Sequence, residues 1–239
     1  MSTGRGDCCS SFSVATLSHC ASRGNDGATI VSIGGRISSP ADASIAENCA
    51  TASTKAMLIG TPPIELPDPP LVSGSLALRE WSENDVDSLV KACADPLTAR
   101  YTSVPIPYTP EDARRFVAFG RSPNAIPLAV VSSDDERSVL GAVGLHAVSL
   151  SRRRSEIGYW TAPWARRSGV ASEALELMSA WALGPLGLER LDLYAEPENL
   201  LSQRVAERAG FRKGALVRAG IALRGRRYDV VRFTRLREP

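Results

Sequence analysis

The stretch from Glu156 to Ala182, EIGYWTAPWARRSGVASEALELMSAWA, constrains this chain more than any other. It opens as a strand-like run, breaks at Pro163, passes through Arg166-Arg167-Ser168-Gly169-Val170-Ala171 and continues as an apolar-periodic segment. Ala171, Ala174, Leu175, Met178, Trp181 and Ala182 recur at the three- and four-residue spacing of one helix face, so that face must be buried. A strand that feeds a helix through a short loop places the helix's first amides, which have no intrahelical acceptor, beside the end of the strand. Those amides and the positive end of the helix dipole favour an anion. Gly169 lets the backbone approach a ligand closely, Arg166 and Arg167 bring positive charge, and Ser172 offers a hydroxyl. The junction reads as a cradle for phosphate oxygens.

The rest of the chain is uneven. Of its 239 residues 44% are hydrophobic and 23% charged, as in a soluble globular protein. Yet the first seventy contain a single aromatic, Phe12, and are dominated by Ser, Ala, Gly, Thr and finally Pro. Such a segment cannot bury enough apolar surface to offset its ordering entropy. Residues 1–70 are therefore expected to be a low-complexity, disordered extension closing in the Pro-rich linker Thr61 to Pro70, with the folded domain over 71–239. Met57, just ahead of that linker, is a second candidate initiator. The extension has neither the basic start and apolar core of a signal peptide nor the Arg-rich, acid-poor character of a transit peptide, so a cytoplasmic protein is expected.

Composition removes several function classes. Cys8, Cys9, Cys20, Cys49 and Cys93 form no C-x-x-C pair, and the two histidines, His19 and His146, are too few for a typical metal site, so neither a disulfide framework nor a metal is expected. No run approaches the roughly 18 apolar residues of a membrane span. The net charge of +2, or +4 without the extension's four bases and six acids, is too mild to argue for nucleic acid. Arg166 to Ser172 lacks the first glycine and the lysine of a nucleotide-hydrolase P-loop, and no G-x-G-x-x-G follows the first strand.

From Leu76 the pattern is regular. Leu76 to Trp81 reads as a first strand, followed by Ser82 and Asp85 as an acidic capping box and a helix to about Ala94, ended by Asp95-Pro96. Thr109-Pro110 announces a second helix with Phe116 and Phe119 as core or substrate-wall residues, stopped at Gly120. Ile126 to Val131 and Val139 to Val148 should form a hairpin. After the long helix come a strand over Leu188 to Ala195, a helix over Leu200 to Ala209, and a closing hairpin from Arg218 to Arg235 about Leu223-Arg224-Gly225-Arg226. Strands before, between and after helices, without strict alternation, predict a mixed, mostly antiparallel sheet flanked by helices in an α+β layout.

Arg166-x-x-Gly169-x-Ala171 resembles the Q/R-x-x-G-x-G/A signature of the GNAT superfamily of acetyl-CoA-dependent N-acetyltransferases, although Ser168 stands where that family usually has Gly or Arg. With Glu156-Ile-Gly-Tyr-Trp before it, and Asn199-x-x-Ser202 and Gly210-Phe211 after it, Leu76 to Leu236 is similar to the RimJ/RimL-like branch that acetylates N-terminal amines of ribosomal proteins. The resemblance implies the GNAT fold, acetyl-CoA as co-substrate and an amine as acceptor, in a monomer or homodimer without metal. It places Trp160, Thr161, Arg166, Arg167, Ser168, Gly169, Val170, Ala171, Ser172 and Asn199 against the coenzyme, and Tyr101 and Tyr108, in the segment Ala99 to Tyr108, over the acceptor. Those tyrosines could equally pack that segment onto the core.

Direct acetyl transfer needs a neutral amine, stabilisation of the thioester oxygen and a proton for the departing thiolate. Glu156 is the candidate base, with Glu196 and Asp229 in reserve; its alternative role is a surface partner for Arg152 to Arg154. Ser202 is the candidate hydrogen-bond donor to the thiolate, although Asn199 or Ser202 could simply cap the following helix. The oxyanion would be met by a backbone N–H around Trp160 to Ala162, provided the strand there bulges or splays from its neighbour. Acids near the site are few and Arg218, Arg224, Arg226 and Arg227 crowd the last hairpin, which favours a peptide or amino-acid-like amine over a polycation.

Overall fold

The computed structural model describes residues 64–238. Met57, four of the cysteines and most of the low-complexity extension lie outside the described residues. The chain enters the sheet with β1 (Leu71–Ser73), which turns at Gly74 and pairs antiparallel with β2 (Leu76–Arg79). β1 was not foreseen, since three residues at a sheet edge carry no readable alternation. Ser82 and Asp85 form the expected capping box, with the Ser82 amide donating to Asp85 Oδ2 at 2.8 Å, and lead through one 3₁₀ turn into α1 (Val86–Cys93). Asp85 is 1% exposed, and its carboxylate is paired in two parallel bonds of 2.8 Å with Arg79.

Asp95-Pro96 ends α1 as expected but also begins a helix, α2 (Pro96–Tyr101), which runs into the segment Ala99 to Tyr108. The reason is local: Asp95 accepts from the Leu97 and Thr98 amides at 3.1 and 2.9 Å, and Pro96 sits where no amide is needed. α3 (Pro110–Phe119) starts at the expected Thr109 cap, with reciprocal bonds to Asp112. Phe119, expected in the core or on a substrate wall, is not in the core: it is 69% exposed and lies about 120° around the helix from the buried Ala113.

The predicted hairpin forms from β3 (Ile126–Ser132) and β4 (Val139–Ser149). β5 (Arg154–Thr161), α4 (Val170–Leu183), β6 (Arg190–Ala195) and α5 (Leu200–Arg208) follow where the sequence placed them. The closing hairpin joins β7 (Arg212–Leu223) to β8 (Arg226–Leu236) through Arg224 and Gly225, both at positive φ. β7 starts six residues before the expected Arg218. It is an exposed edge strand with two register shifts, so its side chains show no regular period of two.

The eight strands make one mixed sheet in the order β1-β2-β3-β4-β5-β6-β8-β7, parallel only between β5 and β6. This is the mixed, mostly antiparallel α+β architecture expected. Leu175 and Met178 of α4 are fully buried, as are Leu145, Ile157, Leu191 and Leu193 of the strands. Each such side chain contributes about 1.5–3 kcal/mol of burial. Neighbours along a strand face opposite sides, and paired residues face the same side. Tyr159 therefore turns towards α5, where its hydroxyl meets Ser202. Trp160 turns the other way, stacked on Trp81, which in turn meets Phe116 of α3.

Candidate active site

The parallel contact between β5 and β6 is short. Arg154 pairs with Arg190, Ser155 with Leu191 and Glu156 with Asp192, and there the pairing stops. Beyond that rung β5 stays with β4 as far as Thr161, opposite Gly141, while β6 stays with β8 as far as Ala195, opposite Val231. The sheet forks between them. An oxyanion donor around Trp160 to Ala162 calls for a strand that bulges or splays there. The splay begins earlier, after Glu156, so the main chain of 157–161 has an edge unpaired with β6, while the Ala162 amide is taken by the Leu140 carbonyl at 2.8 Å.

The turn read from the sequence as a phosphate cradle lies at the end of β5. A 3₁₀ turn over Pro163–Ala165 leads into Arg167 at φ 66° and Gly169 at φ 89°, and α4 begins at Val170. The amides of Ser172 and Glu173 both turn back to the Gly169 carbonyl, at 3.0 and 3.2 Å, which leaves the earlier amides of the turn for a ligand. A Cβ at Gly169 would meet nothing within 4 Å, so its surroundings are open. Ser168 is spent locally, its hydroxyl donating to the Ala165 carbonyl at 2.8 Å. Thr161, 3% exposed, has a buried hydroxyl without a hydrogen-bond partner among the described residues, as suits a group awaiting a ligand. Trp160 contributes only main chain here, because its ring lies in the aromatic cluster on the other face.

Arg166 is engaged by an acid from a neighbouring helix start. Its guanidinium is bonded to both oxygens of Asp95 and lies 3.4 Å from the Thr98 hydroxyl, which ties the loop to the start of α2. The Asp95 carboxyl is held below its usual range: burial pushes it up, but Arg166 and the Thr98 amide outweigh that. Asn199 caps α5, its side-chain carbonyl accepting from the Ser202 amide at 3.1 Å. Ser202 is itself fully buried, with Oγ 3.1 Å from the Tyr159 hydroxyl. Tyr159 was not singled out in the sequence; burial pushes its hydroxyl far up, so this is a pair of neutral hydroxyls, one donating to the other.

Glu156 sits at the base of the fork, on the face opposite α5, and is half-buried. Its carboxyl is raised by burial and then by the negative charge of Asp192, against a smaller pull from Arg154. On the other side its register partner is His146, 8% exposed, whose imidazole burial lowers to about 4 and thus keeps neutral. Asp192 accepts from Arg190 at 2.8 and 2.9 Å and from the Thr234 hydroxyl at 2.6 Å. It too was missed: its place between Leu191 and Leu193 sets it on the opposite face from them, but only the strand register makes that the Glu156 side.

Both reserve bases are engaged. Glu196 is bound by Arg100 through two bonds of 2.8 Å, and Asp229 pairs with Arg218 and the Ala219 amide. The two tyrosines part company. Tyr101 lies with Tyr228 around the Arg100 guanidinium, at 4.7 and 5.2 Å, near the end of β6. Tyr108 is half-buried, its hydroxyl pushed up by burial and then by Cys93 and Asp112 on the α1 and α3 side. Arg224 joins the two segments expected to flank the acceptor: it reaches from the β7–β8 turn to the Thr102 and Val104 carbonyls, each at 2.9 Å. No group of three or more His, Cys, Asp or Glu among the described residues is placed to hold a metal ion, and no described helix is long and apolar enough to cross a membrane.

Residues 75–212 match the profile of the acetyltransferase (GNAT) domain. The uncharacterised N-acetyltransferase YoaA of Bacillus subtilis is 27% identical over 165 residues, covering 67% of this chain and 93% of that protein. RimL, a ribosomal L7/L12 alpha-N-protein acetyltransferase solved with coenzyme A, superposes with a TM-score of 0.59 at 20% identity, over 69% of this chain and 96% of its own. A spermidine N-acetyltransferase from Vibrio cholerae, solved with coenzyme A and spermine, also superposes with a TM-score of 0.59, at 18% identity, over 69% of this chain and 97% of its own.

Proposed function

This chain belongs to the acetyltransferase (GNAT) family, and from that premise we propose that it moves an acetyl group from acetyl-CoA directly to the primary amine of a peptide N-terminus or an amino-acid-like acceptor in the cytoplasm. The observation that carries the reading is the fork: pairing of β5 with β6 ends at Glu156, and the strand runs on from there into the open turn at Gly169. Bound acetyl-CoA supplies the activated thioester. The first amides of α4 hold its pyrophosphate, and the unpaired edge of β5 with the Thr161 hydroxyl lines the arm that follows. An N–H of that edge meets the thioester oxygen as it gains charge. Glu156 takes the proton of an amine that is mostly protonated at neutral pH, directly or through water, and its raised carboxyl brings it closer in basicity to that task. The Tyr159–Ser202 pair offers a neutral donor for the sulfur.

The basic hairpin bearing Arg218, Arg224, Arg226 and Arg227 supports an acceptor with a carboxylate or an acidic peptide surface. One observation favours a second reading, a small polyamine: Glu156 and Asp192 put two carboxylates on one face at the fork. A thiol-release assay with N-terminal peptides, amino acids, polyamines and aminoglycosides separates them. Turnover of peptides or amino acids supports the first reading, and turnover of polycations alone replaces it with the second. Binding of acetyl-CoA without turnover of any acceptor would make the chain a silent acyl-CoA-binding module.

A further inference from the structure

We propose that Asp192 is a positioning residue for the proton transfer at Glu156: anchored by Arg190 and Thr234 on the last rung before the fork, it keeps the neighbouring carboxylate receptive to an amine proton. The inference rests on the reading of Glu156 as the base. Glu156 and Asp192 are register partners on adjacent parallel strands, so their side chains leave the sheet on one face, side by side. Like charges placed this way normally separate, by rotation of one side chain into solvent. Asp192 cannot turn away freely, because both of its oxygens are held, one by Arg190 Nε and the other by Arg190 Nη2 and the Thr234 hydroxyl, and its side chain is 13% exposed.

The other groups on this face are accounted for. His146 flanks Glu156 from β4 as a neutral imidazole, Arg154 lies two residues back on its own strand, Tyr194 follows Asp192 on β6, and Arg232 and Thr234 lie opposite on β8. Asp192 is the one anion acting on Glu156 among them, and Arg190 tempers it. A fixed negative charge beside the base disfavours its ionised form. Burial by itself already raises the Glu156 carboxyl, and the fixed charge of Asp192 raises it further, closer to the amine it must deprotonate.

The two partners therefore push in opposite directions, which a purely structural role for the trio would not do. In D192N the negative charge is gone and Arg190 is left uncompensated, so Glu156 should titrate at lower pH than in the wild type. In R190Q the Asp192 charge is no longer tempered, and Glu156 should titrate at higher pH. The measurement is a ¹³C NMR titration of the side-chain carboxyls in the full chain, with the Glu156 signal identified by its loss in E156Q. It needs no acceptor. Opposite displacements establish the coupling; no displacement in either variant, or displacement of both in one direction, overturns it. Should D192N fail to fold, R190Q alone decides by the sign of its shift. Failure of the underlying reading shows separately, as an E156Q variant that turns over the acceptor panel as fast as the wild type.

Discussion

Replacing Arg166 with alanine distinguishes a strut from a ligand contact. Its guanidinium holds both oxygens of Asp95, and the two side chains are only 13% and 17% exposed, so water replaces the lost partner poorly. Asp95 nevertheless keeps the Leu97 and Thr98 amides and the Thr98 hydroxyl, which limits the damage to the ion pair itself. A charge-assisted bond in this setting is worth about 1–2 kcal/mol, and for a domain of this size that lowers Tm by roughly 2–8 °C. The pH dependence follows in sign. Asp95 has a depressed carboxyl in the folded protein, so its contribution is complete above the ordinary Asp range and is lost as pH falls through the folded value. The gap between wild type and R166A, measured by urea unfolding, should therefore be open at pH 7 and close as the solution is taken below about pH 4. Acetyl-CoA affinity, read by calorimetry, should fall by about threefold or less, against the tenfold or more expected for loss of a direct phosphate contact. Unchanged stability with affinity down tenfold or more would refute the strut and restore Arg166 to the cradle.

Gly169→Ala should cost about 1 kcal/mol of stability, since φ 89° is unfavourable for a residue with a Cβ, while Gly169→Asp should abolish acetyl-CoA binding in calorimetry by setting a carboxylate in the proposed pyrophosphate site. Tyr159→Phe leaves the buried Ser202 hydroxyl without its partner, at about 1–2 kcal/mol in a thermal melt, and a fall in kcat beyond tenfold at saturating acetyl-CoA would mark the pair as part of the chemistry. Glu156→Gln should lower kcat by about 10²-fold or more without altering acetyl-CoA affinity. His146, lowered to about 4 by burial, binds its proton more weakly folded than unfolded, so stability should fall by about 3 kcal/mol between pH 6.5 and 4, and His146→Gln should flatten that slope in urea unfolding.

What the sequence determined by itself is what neighbours along the chain decide. The turn at Gly169 is legible because a strand, a loop and the apolar face of a helix fall within twenty-seven residues, and the helix end follows from hydrogen bonds that span three or four. The caps at Ser82 and Thr109 are legible for the same reason, and Asp95-Pro96 was read half correctly, as the end of one helix but not the start of the next. Glu156 stood out as a carboxylate beside an apolar strand, yet nothing near it in the chain names its neighbours. Only the tertiary structure puts Asp192 on its rung, sets Ser202 against Tyr159, turns Arg166 to Asp95 seventy-one residues away and hands Glu196 to Arg100. Each depends on strand order and register, which are fixed by how the whole sheet packs against its helices. The fork most of all belongs to the structure: β5 and β6 are apolar and regular past Glu156, and they part there because each follows the strand on its other side, β4 or β8, rather than anything written in their own residues.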